Sequence, residues 1–500
     1  MRELRTMPWV AVVVSAQFLV MLDSSILNAA LPSIAAGMDV STTGSAWILN
    51  AYFLTFGGFL LVAGRAADVF GRRRMFLFGT ALLALGSVAG ASAPAEGVLI
   101  AARLVQGLGA AALSPAAMSI ILAHTTGRPR AAAMSAWGAA SALAGATGVS
   151  VGGVLTAAFG WQVVFLVSAG VAGVVWLVAA RMLPADGARR RRSFDAAGAV
   201  AVTVAATGAV WAVLTASESG VSPQVLMGAA LAVAGLAAFV ARERRAVDPV
   251  LPLELLRDLR TAGGLVVNLL GGAARIGCFF MVAMLLQQAF RFDAGIAGLA
   301  MLPTSVAGFL VTVLALPRLL GRFGAERVLV LGLVLVAVAH GMLAAAPSSP
   351  TYVLHVLPAL LLAAAGVAMS FTPTTLVIAS GIPSERSGIA SGLASSSAQL
   401  GGAIGIAVFT AVNTVVQAAS VSDGAAPLEA VQAGLSAAFA TASMAAAAGA
   451  VLAMIVLVAP RMRRVAPWRA LTPPPPIHAA RTVPAHPAAG SASGRRGPAE

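Results

Sequence analysis

Residues 8–34 read PWVAVVVSAQFLVMLDSSILNAALPSI, an apolar run in which Asp23 is the single charged side chain. A run of about 20 mostly apolar residues is long enough to cross a bilayer as a helix. A charge in the middle of such a helix is costly, and it marks a functional site by default. This stretch therefore predicts an all-α integral membrane protein and supplies its first candidate site residue.

The composition of the whole chain points to the same class. Of the 500 residues, 59% are hydrophobic and 10% are charged, and the mean hydropathy is +0.91. Because a soluble domain is about one quarter charged, these values exclude a soluble enzyme, a nucleic-acid-binding domain and a disordered scaffold. We expect the lipid bilayer as a partner, no nucleic acid, and no enzymatic activity.

Cysteine, histidine and lysine usage limits the cofactors. Cys278 is the one cysteine in the chain, so an internal disulfide is excluded. The five histidines are scattered and show no metal-ligand spacing. The chain has no lysine, so it lacks the glycine-rich phosphate loop that depends on one. We expect no metal, no cofactor and no ATP-driven transport by this chain alone.

Apolar runs of spanning length recur along the chain, and we predict fourteen transmembrane helices. The predicted spans are 8–34, 45–64, 75–95, 97–122, 132–157, 161–183, 196–216, 222–241, 262–289, 294–317, 326–346, 351–380, 387–417 and 433–460. With the N-terminus in the cytoplasm, 29 of the 32 basic residues, all arginines, fall in cytoplasmic segments, and Arg291 falls outside. The positive-inside rule describes this asymmetry. It predicts a multi-pass protein of the cell membrane with both termini in the cytoplasm.

Asp23 lies mid-way along the first span, and its neighbours are polar. Ser24 and Asn28 are four residues apart and share a helix face, so a polar stripe points towards the protein interior. A carboxyl group held away from water can take up and release a proton near neutral pH. The stripe indicates proton coupling, cation binding or both. The alternative is a structural carboxylate held by hydrogen bonds.

Two arginines, Arg103 and Arg275, fall within predicted spans. Arg103 shares a helix face with Gln106 and Gly107 and is the natural counter-charge for Asp23. The alternative for Arg103 is a side chain that reaches back to the membrane interface. Arg275 follows small residues that leave room for a partner helix. It either faces a water-filled path or attracts an anionic substrate group.

The fifth span and one basic loop carry conspicuous glycines. In the span these are Gly138, Gly145, Gly148, Gly152 and Gly153. Their stripe predicts a small-residue packing face, for which simple helix packing is the default interpretation.

The loop 64–74 has Gly64 and Gly71 seven residues apart, which permits a tight turn. Between them Asp68 can cap a helix or pair with an arginine such as Arg72 or Arg73. The alternative is a basic loop that only follows the positive-inside rule.

These motifs resemble the major facilitator superfamily, specifically its fourteen-span drug:proton antiporters, over residues 8–460. The loop 64–74 is similar to the superfamily signature between helices two and three. Residues 22–32 resemble the first-helix motif Leu-Asp-x-Thr-x-x-Asn-x-Ala-Leu-Pro, with Ser25 in place of the threonine. The other matches are Trp47 and Tyr52 in the second span; Arg103, Gln106, Gly107, Gly109 and Pro115 in the fourth; Leu286, Gln287, Leu302 and Pro303 in the ninth and tenth; and Gly388, Gly392, Gln399, Gly401, Gly402 and Gly405 in the thirteenth.

The chain departs from the family pattern at three places. The fifth-helix motif Gly-Pro-x-x-Gly-Gly appears here as residues 148–153 without the proline, so a weaker kink is expected. The Trp-Arg-Trp-x-Phe pattern that follows appears as residues 161–165, WQVVF. In the loop, Ala66 and Val69 replace the usual leucine and arginine. The C-terminal half also lacks a second acid deep within a predicted span, which argues mildly against a specialist in doubly charged cations.

The resemblance implies two six-helix bundles, at 8–183 and 262–460. A linker with two extra helices would occupy 184–261, and a disordered cytoplasmic tail would follow at 461–500. Substrate would bind between the bundles, which rock to expose it to each side in turn. Asp23 and Arg103 would carry proton coupling, and the loop 64–74 would latch the outward-facing state. The pocket candidates are Asn28, Trp47, Tyr52, Gln106, Gln287 and Arg275.

The function expected from these residues is proton-coupled efflux of hydrophobic small molecules, such as antibiotics, drugs or secondary metabolites, by a monomer. One alternative is an uptake symporter for a nutrient or metabolite, against which the glycine stripe and the span count argue. Another is a membrane receptor or scaffold that transports nothing. A buried aspartate with an arginine in the membrane counts against that second alternative.

Overall fold

The structure, a computed structural model, describes residues 8–125, 127–185, 196–246, 257–347, 351–380 and 387–458, and within these ranges it has helices and no strands. The helices are α1 Pro8–Met38, α2 Thr42–Phe70, α3 Arg72–Ala91, α4 Glu96–His124, α5 Gly127–Phe159, α6 Gln162–Met182, α7 Ala196–Ser219, α8 Pro223–Glu243, α9 Leu259–Met284, α10 Ala294–Leu310, α11 Leu316–Phe323, α12 Ala325–Ala344, α13 Leu357–Ser380, α14 Ser387–Ser422 and α15 Pro427–Ala453. The predicted tail 461–500 lies outside the described residues.

Several of these helices are extended by short π-helical turns. The turn Val311–Ala315 joins α10 to α11, so that Ala294–Phe323 forms one continuous segment. Other turns follow α9 and α15 and precede α13. With the turns included, thirteen helical segments of the described chain are long and apolar enough to cross a membrane. The all-helical membrane fold is therefore confirmed. The thirteen do not include α2, so the number fourteen stays a prediction.

Polar side chains cap the helices where an apolar run begins. The Ser41 hydroxyl accepts a hydrogen bond from the Gly44 amide at the start of α2, and the Asp293 carboxylate does the same for Ile296 at α10. Asp258 caps α9 by accepting from the amides of Arg260 and Thr261. Partial burial raises the pKa of Asp258, but the hydrogen bonds from Thr261 and Arg260 outweigh it, so the pKa lies below its usual value.

The helices form two sets and a hairpin. α1 to α6 pack mainly through the pairs α3–α4, α2–α4, α1–α5 and α3–α6, and the second set packs through α12–α13, α9–α14, α12–α15 and α14–α15. α7 and α8 pack against each other, and α7 contacts α2 and α14. The two sets meet at α5–α10, α2–α14 and α1–α9. All of these helices belong to one compact unit, so the domain boundaries at residues 183 and 262 stay a prediction.

Glycines let α4 lie close to its neighbours. A Cβ added at Gly107 would overlap Thr55 Oγ1 and would lie 2.5 Å from the Tyr52 carbonyl oxygen of α2. The Thr55 hydroxyl donates to the Leu104 carbonyl across this contact, at 3.1 Å. A Cβ at Gly109 would lie 2.6 Å from the Leu83 amide nitrogen of α3. Small residues at such crossings allow helices in a bilayer to approach closely.

The first prediction concerns this crossing. The substitution Gly107→Ala should destabilise the protein by about 1–3 kcal/mol, because a methyl group forced into a filled contact costs that much. The matched control is Gly170→Ala in α6, where a Cβ would meet no atom within 4 Å. The measurement is the thermal unfolding temperature of the two purified variants in detergent. Equal unfolding temperatures would contradict the close α2–α4 packing.

Candidate functional site

The structure brings together the two charges that the sequence singled out. Asp23 of α1 and Arg103 of α4 form an ion pair, with 2.9 Å between Arg103 Nη1 and Asp23 Oδ2. Both side chains are almost fully buried, at 1% and 2% exposure for Arg103 and Asp23. Asp23 is also the central residue of α1, which runs for 31 residues from Pro8 to Met38. A charge pair therefore lies at mid-depth of a spanning helix. Its full burial contradicts the alternative of an arginine that reaches the interface.

Gln106 completes this ion pair. Its amide nitrogen donates to Asp23 Oδ1 at 2.8 Å and to the Ser87 hydroxyl at 2.8 Å, and its amide oxygen accepts from Arg103 Nη1 at 2.9 Å. Arg103 Nε donates to the Ile48 carbonyl at 3.3 Å. Both carboxylate oxygens of Asp23 thus have donors, as a buried charge requires. Gln106 was predicted on the Arg103 face, whereas Ser87 of α3 was missed because nothing in its neighbourhood distinguishes it.

Tyr52 of α2 covers the guanidinium. The centre of its ring lies 4.3 Å from the Arg103 guanidinium carbon, a cation–π distance, and its hydroxyl donates to the Val20 carbonyl at 3.2 Å. Tyr52 was predicted to line a substrate pocket, but the structure makes it a buried wall of the ion-pair site. We call Asp23, Arg103, Gln106, Tyr52 and Ser87 the ion-pair site.

Three further pocket candidates, Asn28, Trp47 and Gln287, make contacts of their own. The Asn28 amide turns back on its own helix and donates to the Ser24 carbonyl at 3.0 Å. Trp47 is half-buried against the apolar core. Gln287, in the π-helical turn after α9, donates to the Ala29 carbonyl of α1 at 3.0 Å and so joins the two helix sets. Among the described residues, no side-chain hydrogen bond of Asn28 or Gln287 reaches a side chain of the ion-pair site.

Arg275 of α9 is buried, and none of the described residues gives it an acidic partner. It is 3% exposed, Nη2 donates to Asn268 Oδ1 at 2.9 Å, and the guanidinium carbon lies 5.8 Å from the Phe371 ring centre. Its Nη1 has no hydrogen-bond partner among the described residues. Asn268 was missed by the sequence analysis. A polar residue seven positions before Arg275, on the same helix face, was the signal that could have found it.

The turn of the basic loop is built by Gly71. It has a φ of +107° and separates α2 from α3, which confirms that a glycine permits the tight turn expected there. Arg73 Nη2 donates to the Ala180 carbonyl of α6 at 2.6 Å, and Arg72 is half-buried. Gly64 faces Pro115, 3.5 Å from where its Cβ would lie. The Asp68 side chain lies outside what the structure describes.

The glycine face of α5 is divided between two neighbours. A Cβ at Gly148 or Gly152 would overlap Ser25 or Ile26 of α1, and one at Gly153 would overlap the Ala294 carbonyl and lie 2.8 Å from Gly298 Cα of α10. At Gly138 and Gly145, by contrast, a Cβ would meet no atom within 4 Å. The predicted packing face is thus wrong at Gly138 and Gly145. The spacing of seven gives the direction of a face, but among these glycines the close contacts with α1 and α10 are made at Gly148, Gly152 and Gly153.

Comparison with known proteins relates this chain to membrane transporters. The sequence model of the Major Facilitator Superfamily matches residues 13–406. The chain is 33% identical over 376 residues to multidrug resistance protein Stp of Mycobacterium tuberculosis, covering 75% of this chain and 70% of that protein. It is 34% identical over 385 residues to puromycin resistance protein pur8 of Streptomyces alboniger, covering 76% of each. It is 31% identical over 389 residues to multidrug efflux pump LfrA of Mycolicibacterium smegmatis, covering 77% of each.

Solved structures show the same fold at low sequence identity. The POT family transporter PepTSo superposes with a TM-score of 0.65 at 14% identity, covering 91% of this chain and 99% of that one. The human organic anion transporter MFSD10 gives a TM-score of 0.59 at 18% identity, covering 89% of this chain and 98% of that one. At these identities the likeness extends to the fold alone.

The second prediction concerns the stability of the ion-pair site. Asp23→Leu should destabilise the protein by about 3–5 kcal/mol, because it leaves a buried arginine without a counter-charge. Arg103→Leu should cost less, because the carboxyl group left behind can become neutral by protonation while an arginine cannot. The double variant should recover part of the loss. The wild type, the two single variants and the double variant form a double-mutant cycle, and the measurement is the thermal unfolding temperature of each of these four proteins. Strictly additive losses would show that the two side chains do not interact.

Proposed function

The chain belongs to the Major Facilitator Superfamily, and on that premise we propose that it exports hydrophobic small molecules from the cell in exchange for protons. It is a transporter and not an enzyme, and its relatives include multidrug and antibiotic resistance proteins. Their printed names supply the proposed substrate class, which is antibiotics, other drugs or secondary metabolites. The proposed transporter acts as a monomer in the cell membrane, with both termini in the cytoplasm.

The observation that carries this proposal is the buried Asp23–Arg103 pair at the middle of α1. When Asp23 takes up a proton, its carboxylate charge disappears and Arg103 loses its counter-ion. The donor from Gln106, at 2.8 Å, also loses its anionic acceptor. Because these bonds join α1 to α4, protonation changes the free energy of a helix contact. This is the physical link that an antiporter needs between proton binding and conformation.

The contacts between the two helix sets support alternating access. Gly153 of α5 packs on Gly298 of α10, and the site of a Cβ at Gly295 is 3.1 Å from Ala157 Cβ. Gln287 bonds to Ala29 near the same ends of the helices. In the proposed orientation these ends face the cell exterior, so the two helix sets are packed against each other on that side. The loop 64–74 is proposed to latch the opposite, outward-facing state.

The substrate site is proposed to lie between the two helix sets at the depth of Asp23. Asn28 and Trp47 from the first set, and Gln287 and Arg275 from the second, are the candidate contacts. Tyr52 and Gln106 act on substrate through the ion-pair site, since both are completely buried within it.

The third prediction tests coupling through Asp23. Inverted membrane vesicles are energised to an acidic interior, and a panel of antibiotics and cationic dyes, ethidium among them, is added while a pH-sensitive dye reports the gradient. We expect at least one compound to dissipate the gradient with the wild type and none to do so with Asp23→Asn. The amide keeps the shape of the carboxyl group but cannot carry the proton.

Asp39→Asn provides the matched control for this experiment. Asp39 lies outside the spanning helices with a φ of +54°, and asparagine tolerates that left-handed conformation as well as aspartate does. We expect the compound-driven proton flux with Asp39→Asn to equal the flux with the wild type. An Asp23→Asn variant with full compound-driven flux would mean that another group carries the proton.

The fourth prediction tests movement between α5 and α10. The protein Cys278→Ser/Ala157→Cys/Gly295→Cys carries two new cysteines whose Cβ atoms lie slightly closer than a disulfide requires. Oxidation should link α5 to α10 and stop transport, and reduction should restore it, because alternating access requires these helices to separate. Each single cysteine on the Cys278→Ser background serves as a control. Undiminished transport by the cross-linked protein would refute opening at this contact.

A further inference from the structure

Arg275 carries a charge that no acidic side chain of the described residues compensates. The side chain is 3% exposed, and none of the acidic side chains in the described part of the chain forms an ion pair with it. Its neutral partners are the Asn268 amide oxygen and, at 5.8 Å, the Phe371 ring. Arg275 is close to the middle of the span Leu259–Ala289, so it lies at the same depth in its helix set as Asp23 does in the other.

The comparison with Arg103 shows what Arg275 lacks. Arg103 has a carboxylate at 2.9 Å, a glutamine oxygen at 2.9 Å and a backbone carbonyl at 3.3 Å. Among the described residues, each guanidinium leaves one terminal nitrogen without a hydrogen-bond partner, Nη2 at Arg103 and Nη1 at Arg275. The difference between the two arginines is the carboxylate, which Arg103 has and Arg275 lacks. An isolated buried cation is expensive unless an opposite charge accompanies it. Because the described residues supply no counter-charge for the Arg275 guanidinium, the site favours the binding of an anion.

The neighbours of Arg275 hold it ready for such a ligand. The Asn268 amide nitrogen donates to the Ala394 carbonyl at 2.5 Å and to the Ser397 hydroxyl at 2.8 Å. These bonds fix the amide so that its oxygen faces Arg275. The oxygen orients Nη2, and the second amino group is left as a donor. Asn268 and Arg275 are therefore held in a fixed geometry in which the Nη1 group can donate to a bound anion.

A route to this donor lies past Phe371. The guanidinium is buried, but Phe371 of α13 is 51% exposed. Because half of the Phe371 side chain is exposed, we take its rotation as the step that opens a way to the guanidinium.

From this geometry we propose that Arg275 is an anion subsite that binds a carboxylate group of the exported molecule. A guanidinium binds a carboxylate through charge-assisted hydrogen bonds, and the free Nη1 supplies the first of them. The inference rests on the proposed export function and narrows its substrate class to include hydrophobic monocarboxylic acids. A free inorganic anion such as chloride presents the same charge, so the test distinguishes the two sources.

The fifth prediction compares an acid with its ester. Inverted vesicles are loaded by transport with benzylpenicillin or with its methyl ester, and the ratio of the two initial rates is measured. The wild type should transport the acid faster than the ester. Arg275→Gln should lower the acid-to-ester ratio at least tenfold, and Arg275→Lys should give a ratio between those of Arg275→Gln and the wild type. Arg291→Gln, which removes an exposed arginine outside the spans, should leave the ratio unchanged. An unaltered ratio in Arg275→Gln overturns the proposal.

A second pair of variants covers the case in which Arg275→Gln does not fold. Phe371→Glu places a permanent carboxylate beside the guanidinium, and Phe371→Gln is its neutral counterpart. The internal carboxylate should occupy the subsite, so Phe371→Glu should lower the acid-to-ester ratio at least tenfold below that of Phe371→Gln. Equal ratios in the two variants would overturn the proposal.

Thermal unfolding identifies the source of the anion. Benzylpenicillin should raise the unfolding temperature of the wild type by mass action, its methyl ester should not, and Arg275→Gln should lose the effect. Stabilisation by sodium chloride relative to sodium gluconate, without any by benzylpenicillin, would assign the site to inorganic anions and overturn the carboxylate proposal. Proton flux driven by the compound panel in the same wild-type vesicles reports the export function separately. Flux with any compound of the panel alongside a failed acid test refutes this inference alone, and the absence of flux with every compound refutes the proposed function.

Discussion

The rest of this structure depends on one electrostatic constraint, which is that a charge in the hydrocarbon region needs a compensating charge close by. Asp23 and Arg103 satisfy each other at 2.9 Å. Gln106 of α4 and Tyr52 of α2 surround the pair, and Arg103 Nε donates to the Ile48 carbonyl of α2. Gly107 and Gly109 keep α4 close to α2 and α3, because a Cβ at either position would overlap or nearly touch atoms of those helices. Small residues on α4 thus help to hold in place the helices that carry the partners of the pair.

Glycines have a different consequence where the two helix sets meet. At Gly153 and Gly298 the backbones of α5 and α10 touch with no side chains interlocked between them. Such a contact is stabilised by dispersion forces because the backbones approach closely. Since no side chains interlock across it, none has to be withdrawn from the opposite helix when the two helices separate. A transporter needs a contact that seals one side and then releases it, and two facing glycines satisfy both demands. The missing fifth-helix proline therefore does not remove the close contact, since Gly152 and Gly153 provide it.

The sequence predicted the spans and the ion pair because both follow from properties of single helices. Hydropathy locates a span without reference to its neighbours, and a charge in a span demands a partner, of which Arg103 was the natural candidate. Tyr52, Ser87 and Asn268 were misjudged or missed because their roles depend on which helix lies opposite, and periodicity carries no information about that. Gly138 and Gly145 illustrate the same limit. Their spacing predicts which side of α5 faces a neighbouring helix. How far along α5 the helices α1 and α10 stay in close contact depends on the packing of the whole bundle.

The two helix sets differ in how they compensate the charge of a central arginine. Under the proposed function, this difference gives the two sets different roles. The first set neutralises Arg103 from within, so its free energy depends on the protonation of Asp23 and little on the chemistry of the cargo. The second set holds Arg275 with neutral partners alone among the described residues. Its free energy therefore depends on what charge arrives from outside. Under the proposals made above, proton coupling belongs to the first set and recognition of a carboxylate to the second, while Asn28 and Trp47 of the first set also contact the cargo. A change at Arg275 leaves the Asp23–Arg103 pair intact, so the anionic cargo could change while the coupling group stays the same.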